Sequence, residues 1–169
     1  MTESKYIWMD GEFVNWHDAK VHVLSHTLHY GNGAIEGTKA YKTVDGRCAI
    51  FKLNEHTQRL LNSSKMTLMN VPFTLEELNK AQIELLQKNE LFDGAYIRPL
   101  VYLGYGVMGL YHKEAPVKVS VSAWEWGAYL GEEGLRKGVR VKISSFTRTP
   151  NTSGMGKAKA VANYLNSQM

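Results

Sequence analysis

Val117-Lys118-Val119-Ser120-Val121-Ser122-Ala123-Trp124 alternates apolar and polar side chains, the period-two pattern of a strand with one buried face. Upstream of it, Ala95-Tyr96-Ile97-Arg98-Pro99-Leu100-Val101-Tyr102-Leu103 reads as a second strand. Pro99 has no N–H to give to a ladder, which predicts an edge or bulged position. Asp93-Gly94 separates this strand from a helix whose start is written in Thr74-Leu75-Glu76-Glu77. In that capping box the Thr hydroxyl and the Glu carboxylate satisfy the free backbone donors of the first turn, and the pattern predicts a helix to about Asn89. Asn54 reads as the N-cap of an earlier helix through Arg59, Leu60 and Leu61. Two hairpins come first: Tyr6–Met9 with Glu12–Val14 around Asp10-Gly11, and Gly37–Val44 with Arg47–Leu53 around Asp45-Gly46. Together these elements predict an α+β fold, an antiparallel sheet with helices.

Beyond Trp124 the pattern changes. Gly127, Gly131 and Gly134 lie in a stretch without helical or strand periodicity, which predicts a first domain over residues 1–130 and a connection over 131–137. Residues 138–169 then read as the incomplete start of a second domain: one strand over 139–147, a polar Pro150–Gly154 loop, and the beginning of a helix from Lys157 to Met169. One strand and a partial helix cannot bury a core, and no cap closes that helix, so the expectation is the front part of a longer protein.

Composition narrows the function. The chain has 169 residues, 44% of them hydrophobic, enough for a real core. No apolar run is long enough to cross a bilayer and the N-terminus lacks a signal peptide's apolar stretch, so a cytoplasmic protein without membrane partners is expected. Cys48 is the single cysteine, which excludes an intrachain disulfide. The net charge of +4 is unevenly placed: residues 1–133 hold 13 basic and 16 acidic residues, residues 134–169 seven basic and none acidic. The basic segment alternates as Val139-Arg140-Val141-Lys142-Ile143 and offers no aromatic stacking platform, which argues against nucleic acid. Gly104-Tyr105-Gly106-Val107-Met108-Gly109-Leu110 lacks the Lys-Ser/Thr ending of a phosphate-binding loop. His22, His26 and His29 have helical spacing, but no further ligand cluster accompanies them, so packing is expected and no metal.

Chemistry concentrates near the end. Lys159 stands among Ala158, Ala160 and Ala162 beside Asn163-Tyr164, a setting for Schiff-base formation in which small neighbours leave room for a planar ring. Residue by residue, Lys159 is equally a solvated lysine, Arg59 a surface arginine on an amphipathic helix, and Tyr164 a packed tyrosine with a satisfied hydroxyl.

Six motifs in order change that balance: His29-Tyr30-Gly31, Glu36-Gly37-Thr38-Lys39-Ala40-Tyr41, His56-Thr57-Gln58-Arg59-Leu60, Tyr96-Ile97-Arg98-Pro99, Trp126-Gly127-Ala128-Tyr129-Leu130-Gly131 and Lys159-Ala160-Val161-Ala162-Asn163-Tyr164. Over essentially its whole length the chain resembles the N-terminal part of the branched-chain amino acid aminotransferases, fold-type IV enzymes that use pyridoxal 5′-phosphate. The resemblance implies a small α+β domain followed by the beginning of a large cofactor-binding domain. It implies that Lys159 forms the Schiff base and moves the proton in catalysis, that Arg59 holds the cofactor phosphate, and that Tyr164 bonds the ring's phenolic oxygen. Tyr30, Ile35, Gly37, Tyr96, Arg98, Trp126 and Tyr129 would form the substrate site, with Arg98 receiving the distal carboxylate of glutamate. Leu110 would line the pocket of a neighbouring subunit, which implies a homodimer or larger homo-oligomer. Ile35 stands where many relatives have phenylalanine and Lys39 where many have arginine.

The activity implied is amino transfer between leucine, isoleucine or valine and 2-oxoglutarate. The family takes its ring-nitrogen glutamate and most of its phosphate cradle from sequence that follows, so the 169 residues alone are expected to lack useful turnover. Another fold-type IV enzyme, a D-amino acid aminotransferase or an aminodeoxychorismate lyase, is the alternative, as is a non-catalytic dimerisation fragment. Tyr96-Ile97-Arg98-Pro99 and Glu36-Gly37-Thr38-Lys39 favour the branched-chain enzyme.

Overall fold

The computed structural model describes residues 2–127, 131–150, 152, 154 and 156–168. Strand β1 (Tyr6–Met9) turns through Asp10-Gly11 into β2 (Glu12–Asn15). Asp10 and Gly11 take φ values of 50° and 104°, the positive angles the turn demands. A short helix α1 (His26–Tyr30) leads to β3 (Gly33–Ile35), β4 (Thr38–Lys42) and β5 (Cys48–Ile50), with the second hairpin closing at Gly46, φ 84°. Helices α2 (Leu53–Met66) and α3 (Leu75–Asn89) precede β6 (Ala95–Leu103) and β7 (Val117–Glu125). Seven strands make one antiparallel sheet in the order β2-β1-β7-β6-β4-β5, with β3 also paired to β6.

Helices α2 and α3 cover one face of this sheet. On α3 the buried residues Leu78, Ala81, Gln82, Leu85, Leu86 and Asn89 recur at helical spacing, so one stripe meets the core. Opposite lie Ala34, Ala40, Ile97, Val101, Val119, Val121 and Ala123, each fully shielded from solvent. Burying such side chains stabilises by about 1.5–3 kcal/mol for each large aliphatic one. The capping box predicted at Thr74 is present: Glu77 N–H donates to Thr74 Oγ1 at 3.2 Å and Thr74 N–H to Glu77 Oε2 at 2.7 Å. Asn89 Oδ1 accepts from the backbone N–H groups of Lys5 and Tyr6, and its amide donates to Tyr6 O, which ties the end of α3 to β1.

Several local expectations fail. Pro99 is neither at an edge nor in a bulge, because β6 is paired on both sides. The partners Gly33↔Tyr102 and Thr38↔Ile97 share one register, which sets Glu36 opposite Pro99. Glu36 N–H donates to Pro99 O at 3.0 Å, and the return bond cannot form because Pro99 has no N–H. The ladder therefore lapses at Glu36-Gly37 and one strand is recorded as two, β3 and β4. Secondly, α2 begins at Leu53 after Lys52 in the left-handed region, and Asn54 is not its cap, since its Oδ1 accepts from Asn79 of α3 at 2.6 Å.

Thirdly, residues 139–147 form no strand: Val141 and Ile143 are 90% and 95% exposed, and among the described residues no neighbouring strand supplies the hydrogen bonds that would define one. Fourthly, the segment from Lys157 is not an α-helix; residues Val161–Ser167 wind as a 3-10 helix with no side-chain cap. Residues Gly131–Lys137, expected as a connection without periodicity, form the short helix α4. The three histidines do not share one helix, since His22 precedes α1.

Candidate active site

Three consecutive residues at the lapse in the ladder, Ile35, Glu36 and Gly37, each hold a different part of the site. Ile35 N–H donates to Lys159 O at 3.0 Å, and Ala34 and Ala160 form an antiparallel bridge, so the lysine segment lies along β3. Lys159 N–H in turn donates to Ser63 Oγ of α2 at 3.0 Å. Glycines permit this approach. A Cβ on Gly33 would meet Val161 Cγ2 at 3.0 Å, and one on Gly31 would meet Ala162 Cβ at 3.3 Å. So held, Lys159 Nζ donates to the Tyr164 hydroxyl and lies 4.8 Å from the centre of that ring. Tyr164 is 40% exposed, so the pair opens toward solvent.

Glu36 faces α2 from the inward row Ala34, Glu36, Thr38 and Ala40, and is 1% exposed. Both its oxygens are engaged. Oε1 accepts from Arg59 Nε at 3.0 Å and Nη2 at 2.7 Å, while Oε2 accepts from Arg59 Nη2 at 2.8 Å and His56 Nδ1 at 2.5 Å. A carboxylate without protons accepts only, so the imidazole carries its proton on Nδ1 and presents Nε2 away from Glu36. The guanidinium of Arg59 is about half exposed, and the bonds to Glu36 use Nε and Nη2 but not Nη1.

Gly37 opens the third part, a cleft of about 350 Å³ on the sheet face away from the core, bounded by Lys39, His56, Tyr96 and Trp126. A Cβ on Gly37 would come within 2.0 Å of Tyr96 Oη, so only glycine lets that tyrosine lie against the strand. The Tyr96 ring meets Trp126 edge-on at 4.6 Å and packs on Trp124 at 5.1 Å. Arg98, two residues along the same face, donates from Nη2 to Tyr96 Oη at 2.7 Å. Its Nε is buried with no hydrogen-bond partner among the described residues, an unusual state for a charged donor.

Of the residues expected from sequence, Lys159 and Tyr164 meet at one point, Arg59 and Ile35 flank it through Glu36 and the Lys159 carbonyl, and Gly37, Tyr96, Arg98 and Trp126 gather around the cleft. Tyr30 is tied to the loop that carries Leu110: Tyr30 Oη accepts from Gly109 N–H at 3.2 Å, and Leu110 is 86% exposed in that loop between β6 and β7. Tyr129 lies outside the described residues. The histidines serve as structural partners: His26 Nε2 bonds Gly109 O, His29 Nε2 bonds Val23 O, and His22 Nδ1 accepts from Leu24 N–H. Sequence reasoning assigned no role to Glu36, His56 or Ser63. The available signal for Glu36 was an acid placed on the inward parity of a strand otherwise lined by Ala and Thr.

Residues 33–169 match the family model of class IV aminotransferases. The chain is 47% identical over 163 residues to the branched-chain-amino-acid aminotransferase of Pseudomonas aeruginosa, covering 96% of this chain and 52% of that one. Against the enzyme of Escherichia coli K12 it is 43% identical, with 99% and 54% covered. Among solved structures, a T.th. branched-chain amino acid aminotransferase with pyridoxamine 5′-phosphate superposes with a TM-score of 0.91 at 46% identity, covering 99% of this chain and 55% of that one. The chain spans about half the length of the curated relatives it matches. Among the described residues no helix is long and apolar enough to cross a membrane.

Proposed function

The chain belongs to the class IV aminotransferases, and from that premise we propose that it works in a pyridoxal 5′-phosphate-dependent transaminase exchanging amino groups between leucine, isoleucine or valine and 2-oxoglutarate. The observation that carries this reading is the contact of Lys159 Nζ with the Tyr164 hydroxyl on a segment tied to both β3 and α2. Residues 1–130 then act as the small domain, 131–137 as the connection and 138–169 as the start of the cofactor domain, in a cytoplasmic homodimer or larger assembly. Similarity to enzymes named for this reaction supports the substrate class.

The donors present fit the cofactor: a primary amine beside a phenol, and a half-exposed guanidinium with Nη1 outside its carboxylate pairing. Pyridoxal 5′-phosphate, when bound, supplies a carbonyl that captures the substrate amine and a ring that takes up the electrons left at Cα. Lys159 Nζ would take the proton from the substrate Cα and hand it on to C4′ of the cofactor, a task that needs a neutral amine within reach. Tyr164 orients that amine through its hydroxyl. Arg59 would hold the phosphate with the planar fork of donors that matches it.

Around the substrate, Tyr96 and Trp126 would wall an apolar slot beside Gly37, and the family resemblance adds Ile35, Tyr129 and Tyr30 to that site and assigns Leu110 to the pocket of a neighbouring subunit. Arg98 resolves the conflict between apolar and acidic substrates. Its guanidinium, joined to Tyr96 Oη through Nη2, would be reached by the longer glutamate side chain and left alone by a leucine side chain.

The test is to treat the full-length protein with pyridoxal phosphate and borohydride and map the modified peptide by mass spectrometry. A reduced adduct at Lys159, lost in Lys159→Ala, is expected. Full-length protein that gives no adduct there sinks the reading. Assay of L-leucine against D-alanine then decides the substrate class.

A further inference from the structure

We propose that Glu36 is a positioning residue for recognition of the cofactor phosphate, acting through Arg59; this rests on the cofactor reading above. Glu36 is 1% exposed, and a buried ion pair gains little over a well-packed apolar pair of the same volume. Its neighbours on the inward row are Ala34, Thr38 and Ala40, so fold stability alone gives no reason for a carboxylate at this position. What the carboxylate does achieve is geometric. Its two oxygens grip Nε and Nη2 of Arg59, which fixes the guanidinium plane and leaves the Nη1 edge facing outward. The same carboxylate accepts from His56 Nδ1 at 2.5 Å, which fixes the imidazole beside the cleft that the ring helps to bound. One fork of donors on α2 is thereby preset by one acceptor on the strand. The Ile35–Lys159 bond starts from the residue next to Glu36 in the chain, so the Arg59 fork and the reactive amine are referenced to one strand segment.

Charge and geometry predict opposite signs. Glu36 neutralises Arg59, so a view based on charge alone says that removing the carboxylate should strengthen phosphate binding. Positioning says that it should weaken it, because an unheld arginine must give up rotamer freedom on binding.

The experiment uses the full-length protein stripped of cofactor and titrated with pyridoxal 5′-phosphate and, separately, with pyridoxal, which lacks the phosphate. Glu36→Gln is expected to weaken pyridoxal 5′-phosphate by about tenfold or more, the worth of one charge-assisted hydrogen bond, while pyridoxal changes by less than about twofold. Glu36→Asp, which keeps the charge but is one methylene short of the fork, is expected to lose a similar factor. In an Arg59→Ala background Glu36→Gln should cost almost nothing further, since the effect passes through Arg59. Should Glu36→Gln fail to fold by circular dichroism, the Glu36→Asp titrations carry the same comparison.

Equal or tighter binding of pyridoxal 5′-phosphate by the variants overturns the inference. So does an equal loss for both compounds, which would mark Glu36 as a structural residue only. Wild-type protein that binds neither compound would overturn the cofactor reading itself, and the inference with it; wild-type binding with unaffected variants overturns the inference alone.

Discussion

Residues 6–125 and residues 156–168 stand on the same sheet but are held in different ways. The first region makes its own core: among the described residues, every buried apolar side chain except Ala158 and Ala160 lies between Trp8 and Trp124. The second has no core. It is fixed by a bridge to Ala34, a bond from Ile35 and a bond to Ser63, with two alanines pressed against the scaffold. The candidate Schiff-base residue Lys159 is thus carried by a segment that borrows its position. Catalytic geometry must be held to fractions of an ångström, and a packed sheet supplies that rigidity where a short 3-10 turn cannot.

That contrast can be broken most severely at the core. Leu85→Ala, at a site with no solvent exposure, is expected to cost about 2–5 kcal/mol because both transfer energy and packing are lost. Urea denaturation of the full-length protein measures this, and a loss well under that range would mean that α3 is not packed as described. A narrower cut separates the two regions. Ser63→Ala removes the acceptor of the Lys159 N–H and should release that segment by about 1–2 kcal/mol while leaving the sheet intact. Hydrogen exchange at the Lys159 amide should quicken while the Ile97 and Val101 amides stay protected; unchanged exchange at Lys159 would show that the borrowed anchor does not matter.

The smallest effect lies at the helix cap. Thr74→Ala is expected to cost about 1 kcal/mol at neutral pH. The Thr74 backbone N–H, and then its hydroxyl, hold the Glu77 carboxyl below the usual carboxylate range. A depressed folded value means that the stability is fully present above the unfolded value near 4.5 and is lost as pH falls through the lowered one. The wild-type advantage over Thr74→Ala should therefore shrink in thermal melts taken at acid pH, and a constant difference across that range would reject the linkage.

What proved legible in the chain was local. Asp10-Gly11 and Asp45-Gly46 announce their turns because few residues tolerate positive φ, and Thr74 with Glu77 announces a helix start because both partners lie three residues apart. The alternation from Val117 to Trp124 names the buried face of β7 directly. Lys159, Arg59 and Tyr164 stood out as candidates through motifs, though their mutual placement did not. The failures were all long-range. Pro99 looks like an edge residue until Glu36, 63 positions away, is set opposite it by the register of β3 and β4 on β6. Val139 to Ile143 looks like a strand, yet among the described residues no strand lies beside it to pair with.

The sequence by itself therefore determined the turns, the caps, the one-sided strands and the family to which they belong, because each depends on residues close along the chain or on a motif read as a unit. Only the tertiary structure decided which side chains share a site. The Glu36 carboxylate, the Arg59 fork, the Ser63 hydroxyl and the Lys159 backbone come from separate stretches, and sheet register with helix packing brings them within hydrogen-bond distance.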